Sequence, residues 1–153
     1  MIALNGNYQF YGFSPAYMSF NKLEQITGSA TFACYTATLN GGIARINAPN
    51  LTRITGSNTF HKCDRLKNVE FPKLQQIGNS TFQECISLSS VSLPMCTTFG
   101  DNLFLNCLDG NHNPTLKELT ITSVTKAQAT AMKDRICIPI GCMCHCSDGD
   151  IAF

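Results

Sequence analysis

The sequence predicts a solenoid of stacked coils, with short parallel β-strands on one face and turns, irregular or 3-10 segments on the other. Three observations predict it. Leu66-Lys67-Asn68-Val69-Glu70-Phe71-Pro72 aligns with Leu88-Ser89-Ser90-Val91-Ser92-Leu93-Pro94 at a spacing of 22, both reading apolar-x-x-apolar-x-apolar-Pro. A second block, Ile77 to Cys85, recurs as Phe99 to Cys107. Phe60, Phe82 and Phe104 stand 22 apart, and so do Cys63, Cys85 and Cys107. Self-similarity at a fixed period marks a repeat architecture. Strands this short cannot bury an apolar face alone, so neighbouring coils must stack.

The chain of 153 residues and 16.7 kDa fits one domain, residues 1–153, long enough to bury roughly 70% of its unfolded surface. Taken from the N-terminus, residues 1–16 are irregular and aromatic, with Tyr8, Phe10, Tyr11 and Phe13, and are expected to cap the first coil. About five repeats follow over 17–121, beginning with a faint copy at Tyr17 to Leu23. The strand motif recurs at Ile43 to Pro49 and, without the proline, at Leu116 to Ile121; the second block recurs at Ile26 to Phe32, where Tyr35 takes the cysteine's place, and at Ile54 to Cys63. Where it is present, proline closes the strand because it has no N–H for the ladder. Gly28, Gly56, Gly78 and Gly100 precede the phenylalanines and are expected to serve a tight or positive-φ turn. Each Phe is expected to fill the core opposite the strand. Residues 122–153 read as a C-terminal cap. There Thr125-Lys126-Ala127-Gln128 has capping-box form, Ala127, Ala131 and Met132 give a helical stripe through Arg135, Ile136 to Cys146 reads as strand, and Ser147 to Asp150 as a turn.

The period falls in the leucine-rich-repeat range. L-x-x-V-x-L-P followed by I-G-x-x-x-F-x-x-C resembles the BspA-type leucine-rich repeat over about residues 23–121. The chain departs from that pattern in two insertions, between Tyr35 and Ile43 and between Leu108 and Leu116, which are read as loops bulging from the solenoid. The final Cys-Ser-Asp-Gly-Asp-Ile run also resembles segments that close such arrays. The resemblance implies binding rather than chemistry, and surface-exposed adhesion or recognition proteins, or virion components.

Lys and Arg number 11 against 10 Asp and Glu, and charged residues are 14% of the chain. This balance argues against a nucleic-acid partner, which needs a clustered positive face. Residues 1–21 carry no charge, but Asn5, Asn7, Gln9, Ser14, Pro15 and Asn21 interrupt them, so neither membrane insertion nor a secretory signal is read there. Localisation at a cell surface or outside it by another route, in a virion, or in the cytoplasm stays open.

The nine cysteines are read as structural. Cys63, Cys85 and Cys107 are expected as a buried thiol ladder behaving as small hydrophobes. Cys142, Cys144, His145 and Cys146 form the cluster with metal-ligand chemistry, but C-x-C-x-C on a strand spreads three sulfurs along one face, so no metal site is expected. No cofactor is expected. His61 lies two residues from Cys63, where alternate residues face apart, so a Cys–His nucleophile is not expected. With no G-x-S-x-G, H-E-x-x-H or G-x-x-x-x-G-K motif, the chain is read as non-enzymatic. Asn50-Leu51-Thr52 and Asn79-Ser80-Thr81 are formal glycosylation acceptors of the kind that arise by chance in such compositions.

The candidate binding residues flank the central apolar position of each strand and point outward. They are Tyr17, Arg45, Asn47, Asn68, Glu70, Ser90, Ser92, Glu118 and Thr120. A ribbon of short polar side chains suits recognition of a protein or glycan ligand. The alternative is a structural or receptor-binding subunit of a phage virion or other assembly, with homo-oligomer contacts through the aromatic N-terminus.

Overall fold

The structure, a computed structural model, describes residues 1–35 and 41–153. The first expected insertion lies largely outside the described residues. In chain order the elements are β1 (Ile2–Leu4), β2 (Met18–Ser19), β3 (Leu23–Ile26), β4 (Ile46–Asn47), β5 (Arg53–Ile54), β6 (Asn68–Glu70), β7 (Gln76–Ile77), β8 (Ser90–Ser92), β9 (Thr98–Phe99), β10 (Glu118–Ile121), α1 (Lys126–Ile136), β11 (Met143–Cys146) and β12 (Gly149–Ala152). They wind into a parallel β-solenoid of about six turns.

Each coil contributes two strands, where the sequence suggested one. The predicted strands form the front ribbon, in the sheets β2-β4 and β6-β8-β10-β11-β12. A second column, β1-β3-β5-β7-β9, runs behind it. It had gone unseen because most of its strands are two residues long, too short to show alternation. A third set of backbone bonds joins the turns, from Phe10 N–H to Thr31 O (2.7 Å), Phe32 to Thr59 (2.8 Å), Phe60 to Thr81 (2.8 Å) and Phe82 to Leu103 (3.0 Å). Stacking thus satisfies backbone groups that an isolated coil would leave orphaned.

The core lies between these columns. Phe10, Phe32, Phe60, Phe82 and Phe104 stack as a spine, with successive centroids 5.1, 5.1, 5.7 and 6.0 Å apart and rings within 10° of parallel. Cys63, Cys85 and Cys107 lie beside it, buried as expected. Their thiols donate to the carbonyls of Phe32, Phe60 and Phe82 in the preceding coil, at 3.3, 3.0 and 3.0 Å.

The repeat glycines serve close approach rather than positive φ. A Cβ on Gly28 would sit 2.0 Å from the Gly6 carbonyl oxygen, and one on Gly56 2.1 Å from that of Gly28. Positive φ falls two residues later instead, at Tyr8, Ala30, Asn58, Ser80 and Asn102.

Residues 2–12, expected as an irregular cover, follow the solenoid path. β1 pairs in parallel with β3, and Tyr8 N–H bonds to Ser29 O at 3.1 Å. The spacing of Leu4, Gly6 and Phe10 matches that of Ile26, Gly28 and Phe32.

At the other end Thr125 caps α1 with Gln128 in a capping box, as expected. The buried stripe is Ala129, Met132 and Ile136; Ala127 and Ala131 face solvent. The helix end occupies the place of another turn, where Phe104 N–H bonds to Ile136 O. Cys137 ends the helix at φ 60°, so only Met143–Cys146 of the apolar run is strand. Ser147 and Asp148 turn the chain into β12, which runs antiparallel to β11.

Candidate ligand-binding cleft in the front ribbon

The front ribbon is interrupted. β4 pairs with β2, and β6 pairs with β8, but no backbone hydrogen bond joins β4 to β6 among the described residues. The same two coils remain joined behind, where β5 pairs with β7 and Gln75 N–H bonds to Thr52 O at 2.8 Å. The coils are therefore held at the back and splayed at the front. Gly42, with φ 84°, packs against the Cys63 backbone, where an added Cβ would sit 2.8 Å from Cys63 Cα.

The gap opens into a cleft of about 1020 Å³ that extends over the ribbon from Tyr17 to Ser92. Seven of the nine candidates line it: Tyr17, Arg45, Asn47, Asn68, Glu70, Ser90 and Ser92. Ile46 and Val69 lie at its base, with Pro49 and Pro72 beside the strand ends. On the β4 side the Arg45 guanidinium sits over the Tyr17 ring, 5.8 Å from its centroid. The Asn47 amide donates to Ser19 Oγ (3.1 Å) and Asn21 Oδ1 (3.2 Å). On the β6 side Asn68 Oδ1 accepts from Ser90 Oγ at 2.8 Å. These bonds fix rotamers, which lowers the entropy a ligand contact must overcome.

Glu118 and Thr120 lie outside the cleft, farther along the ribbon. Glu118 Oε2 is 2.7 Å from His145 Nε2, and Asp150 Oδ1 is 2.9 Å from His145 Nδ1. Hydrogen bonds to Asp150 and Glu118 raise the His145 pKa above its ordinary value.

Asp64, Arg65 and Lys67 also line the cleft but were not singled out from the sequence. The available signal was charge density, since five charged residues fall between Lys62 and Glu70. The Arg65 guanidinium reaches back to Ser14 O at 3.0 Å.

The remaining groups with chemical potential lie elsewhere. His61 is buried on the turn side, where the Tyr35 hydroxyl bonds to Nδ1, and Nε2 is 3.4 Å from Glu84 Oε1 but not aligned as a hydrogen bond. Burial lowers its pKa, with Glu84 opposing. Tyr35, which occupies the cysteine position in the repeat, turns outward and stacks on Tyr11. Cys142, Cys144 and Cys146 are buried in the C-terminal cap, with 3.7 Å between the last two sulfurs. Among the described residues, no group of three or more His, Cys, Asp or Glu side chains is placed to hold a metal ion. Burial pushes the Cys107 and Cys142 thiols up to about 12, which makes them poor nucleophiles. Asn50 and Asn79 of the two sequons are engaged between coils, accepting from Lys73 Nζ at 2.8 Å and from Asp101 N–H at 2.9 Å respectively. No described helix is long and apolar enough to cross a membrane.

Stacked coils of this period, with a strand ribbon on one face and a phenylalanine spine behind, define a leucine-rich-repeat solenoid. The chain belongs to the BspA type leucine rich repeat family, whose pattern matches in six copies over residues 5–111 and 33–134. It is similar to the crystal structure of the T. pallidum Leucine Rich Repeat protein, at 29% identity and a TM-score of 0.63. The match covers 81% of this chain and 53% of that one, so the chain spans about half of its relative's length. No curated protein matches the chain. The family and fold are those of a repeat protein for protein interaction, and such solenoids are typically non-enzymatic.

Proposed function

We propose that this chain is a non-enzymatic recognition module, displayed on a cell surface or another exterior, that binds its ligand in the cleft between β4 and β6. The observation that carries the reading is the break in the ribbon ladder. An uninterrupted ribbon offers a shallow face, whereas the break gives a concave site with aromatic, cationic, anionic and amide groups converging. Arg45, Arg65 and Lys67 line the cleft together with Asp64 and Glu70, so the site favours a ligand that carries both polar and charged groups. Proteins and glycans fit that description; a polyanion does not.

The test is a parallel screen of the full chain against a displayed peptide library and a glycan array, repeated with Arg45→Ala, Asn68→Ala and Glu70→Ala combined. These exposed side chains contribute little to folding, so the triple variant should melt with the wild type and lose the retained ligands. Full retention of binding by the triple variant would sink the cleft as the site.

A second reading, as a subunit of a virion or other assembly, draws on the first coil. Met1, Ile2, Tyr8, Tyr11 and Phe13 are exposed there, and β1 is paired on one edge alone. Light scattering over a concentration range separates the two: an oligomer that dissociates on Tyr11→Ser and Phe13→Ser supports assembly, and a monomer throughout refutes it.

A further inference from the structure

The side chains of the cleft leave open what kind of ligand enters it; the backbone is more specific. In a parallel ladder the N–H and C=O of one residue point to the same neighbour, and those of the next residue point the other way. On β6, Lys67 O accepts from Ser90 N–H at 3.2 Å, and Phe71 N–H donates to Ser92 O at 3.0 Å. That parity commits Lys67, Val69 and Phe71 to β8 and turns the N–H and C=O of Asn68 and Glu70 toward the cleft. On β4, Arg45 O accepts from Met18 N–H at 3.0 Å and Asn47 O from Phe20 N–H at 2.8 Å. That parity turns the N–H and C=O of Ile46 toward the cleft from the opposite side. Two strand edges of the same direction therefore face each other across the gap. Between them they offer backbone donors and acceptors that, among the described residues, make no bond to each other.

We propose that the break in the ribbon accepts an extended polypeptide segment of a partner protein, which enters as an added strand. It bonds through its own backbone to Asn68 and Glu70 on β6 and to Ile46 on β4. This rests on the reading of the cleft as the binding face and narrows its ligand to a peptide. Strand addition draws affinity from main-chain bonds and specificity from alternate side chains. The flanking strands define what those side chains are. Ile46 and Val69 turn inward, with 6% and 3% of their surface exposed, so the incoming strand needs an apolar residue at its centre. Asn47, Asn68 and Glu70 turn outward, so its neighbours are polar. With walls of two and three residues, pairing extends over a span of about 10 Å. The charges on both walls discourage indiscriminate edge pairing, as does the closure of the gap on both sides.

The test begins with a displayed library of linear random peptides selected on the full 153-residue protein. The enriched consensus is then synthesised and titrated by calorimetry. Glu70→Pro removes a backbone donor that bonds to nothing among the described residues, and proline is tolerated where an edge N–H points away from the ladder. Glu70→Ala removes only the side chain. Strand addition predicts that Glu70→Pro weakens binding about tenfold or more beyond whatever Glu70→Ala costs, because both lose the same side chain and only proline loses the donor. It also predicts that N-methylation of the peptide weakens binding at the consecutive central positions, whose N–H groups point alternately to β6 and to β4, and leaves it unchanged at positions beyond the walls, a readout that leaves the protein untouched and stands even if Glu70→Pro unfolds. Uniform insensitivity to N-methylation, or selection of glycans and no linear peptide, overturns strand addition. In that event the broader reading of the cleft stands if the Arg45, Asn68 and Glu70 triple variant loses the ligand, and falls if it does not.

Discussion

Replacing Gly56 by Ala tests what the repeat glycines do. The new Cβ would lie 2.1 Å from Gly28 O and 2.5 Å from Gly28 C, both backbone atoms of the neighbouring coil that cannot swing aside. Restoring a contact of about 3 Å requires the coils to part by about 1 Å there. The bonds on either side, Thr55 N–H to Ile26 O at 2.9 Å and Ala30 N–H to Ser57 O at 2.8 Å, would then exceed the range of a hydrogen bond. Losing two such bonds, with partners left in a partly buried seam, costs about 2–5 kcal/mol against a total stability of roughly 5–15 kcal/mol. For a chain of this size that is a fall in Tm of about 5–15 °C. Urea unfolding followed by circular dichroism should show a lower midpoint at an unchanged m value. Asn58→Gly is the control, because Asn58 carries the positive φ of 58°; it should be neutral or stabilising by up to about 1 kcal/mol. A Gly56→Ala variant within about 0.5 kcal/mol of wild type would refute the account of coil contact.

Two further outcomes follow from the side-chain chemistry. In the native protein at neutral pH, Cys137, which is only partly buried, should react with a thiol reagent well before Cys63, Cys85 and Cys107, which are sealed in the core. All nine cysteines should react in denaturant; early labelling of the three core thiols would contradict the ladder. Two histidines should titrate on opposite sides of the ordinary value by NMR: His145 above it, because of Asp150 and Glu118, and His61 below, because of burial. The stabilisation from His145 is then full below about pH 6.5 and lost as pH rises through its folded pKa, whereas that from His61 is full above about pH 6.5 and lost as pH falls through its folded pKa. Asp150→Asn should return His145 toward the ordinary value, and an unmoved titration would refute the pairing.

The fold was legible because stacking imposes identical demands on every coil. Phe60, Phe82 and Phe104 must occupy the same site one coil apart, so their spacing in the sequence is the spacing of the structure. The glycines were visible, but their reason was not, since a 2.1 Å approach to Gly28 O is a fact about the neighbouring coil. Local propensity cannot report such a distance. The helix stripe went to Ala129, Met132 and Ile136 because α1 takes the place of another turn, a tertiary circumstance that the alanine pattern alone did not reveal. The ribbon residues followed from strand alternation. That Asn68 and Glu70 face a gap while Glu118 and Thr120 face a continuous sheet did not follow, because the extra residues between Tyr35 and Ile43 in the sequence mark only where a repeat is irregular, not which ladder is broken.

Bonding across that seam is one-sided, and this gives the molecule a mechanical anisotropy. Behind it, Arg53 pairs with Gln76, and the N–H groups of Asn58, Phe60 and Lys62 bond to Asn79, Thr81 and Gln83 of the next coil; in front, no backbone bond among the described residues resists opening. Elsewhere along the stack, flexing must stretch bonds on whichever side is under tension. Between β4 and β6, bending toward the back stretches none on the front and turns about a line of bonds that stays intact. The stack is stiff along most of its length and compliant at one joint, in one direction. Load applied at its ends concentrates there, and the curvature of the whole rod is set by what happens at a single seam.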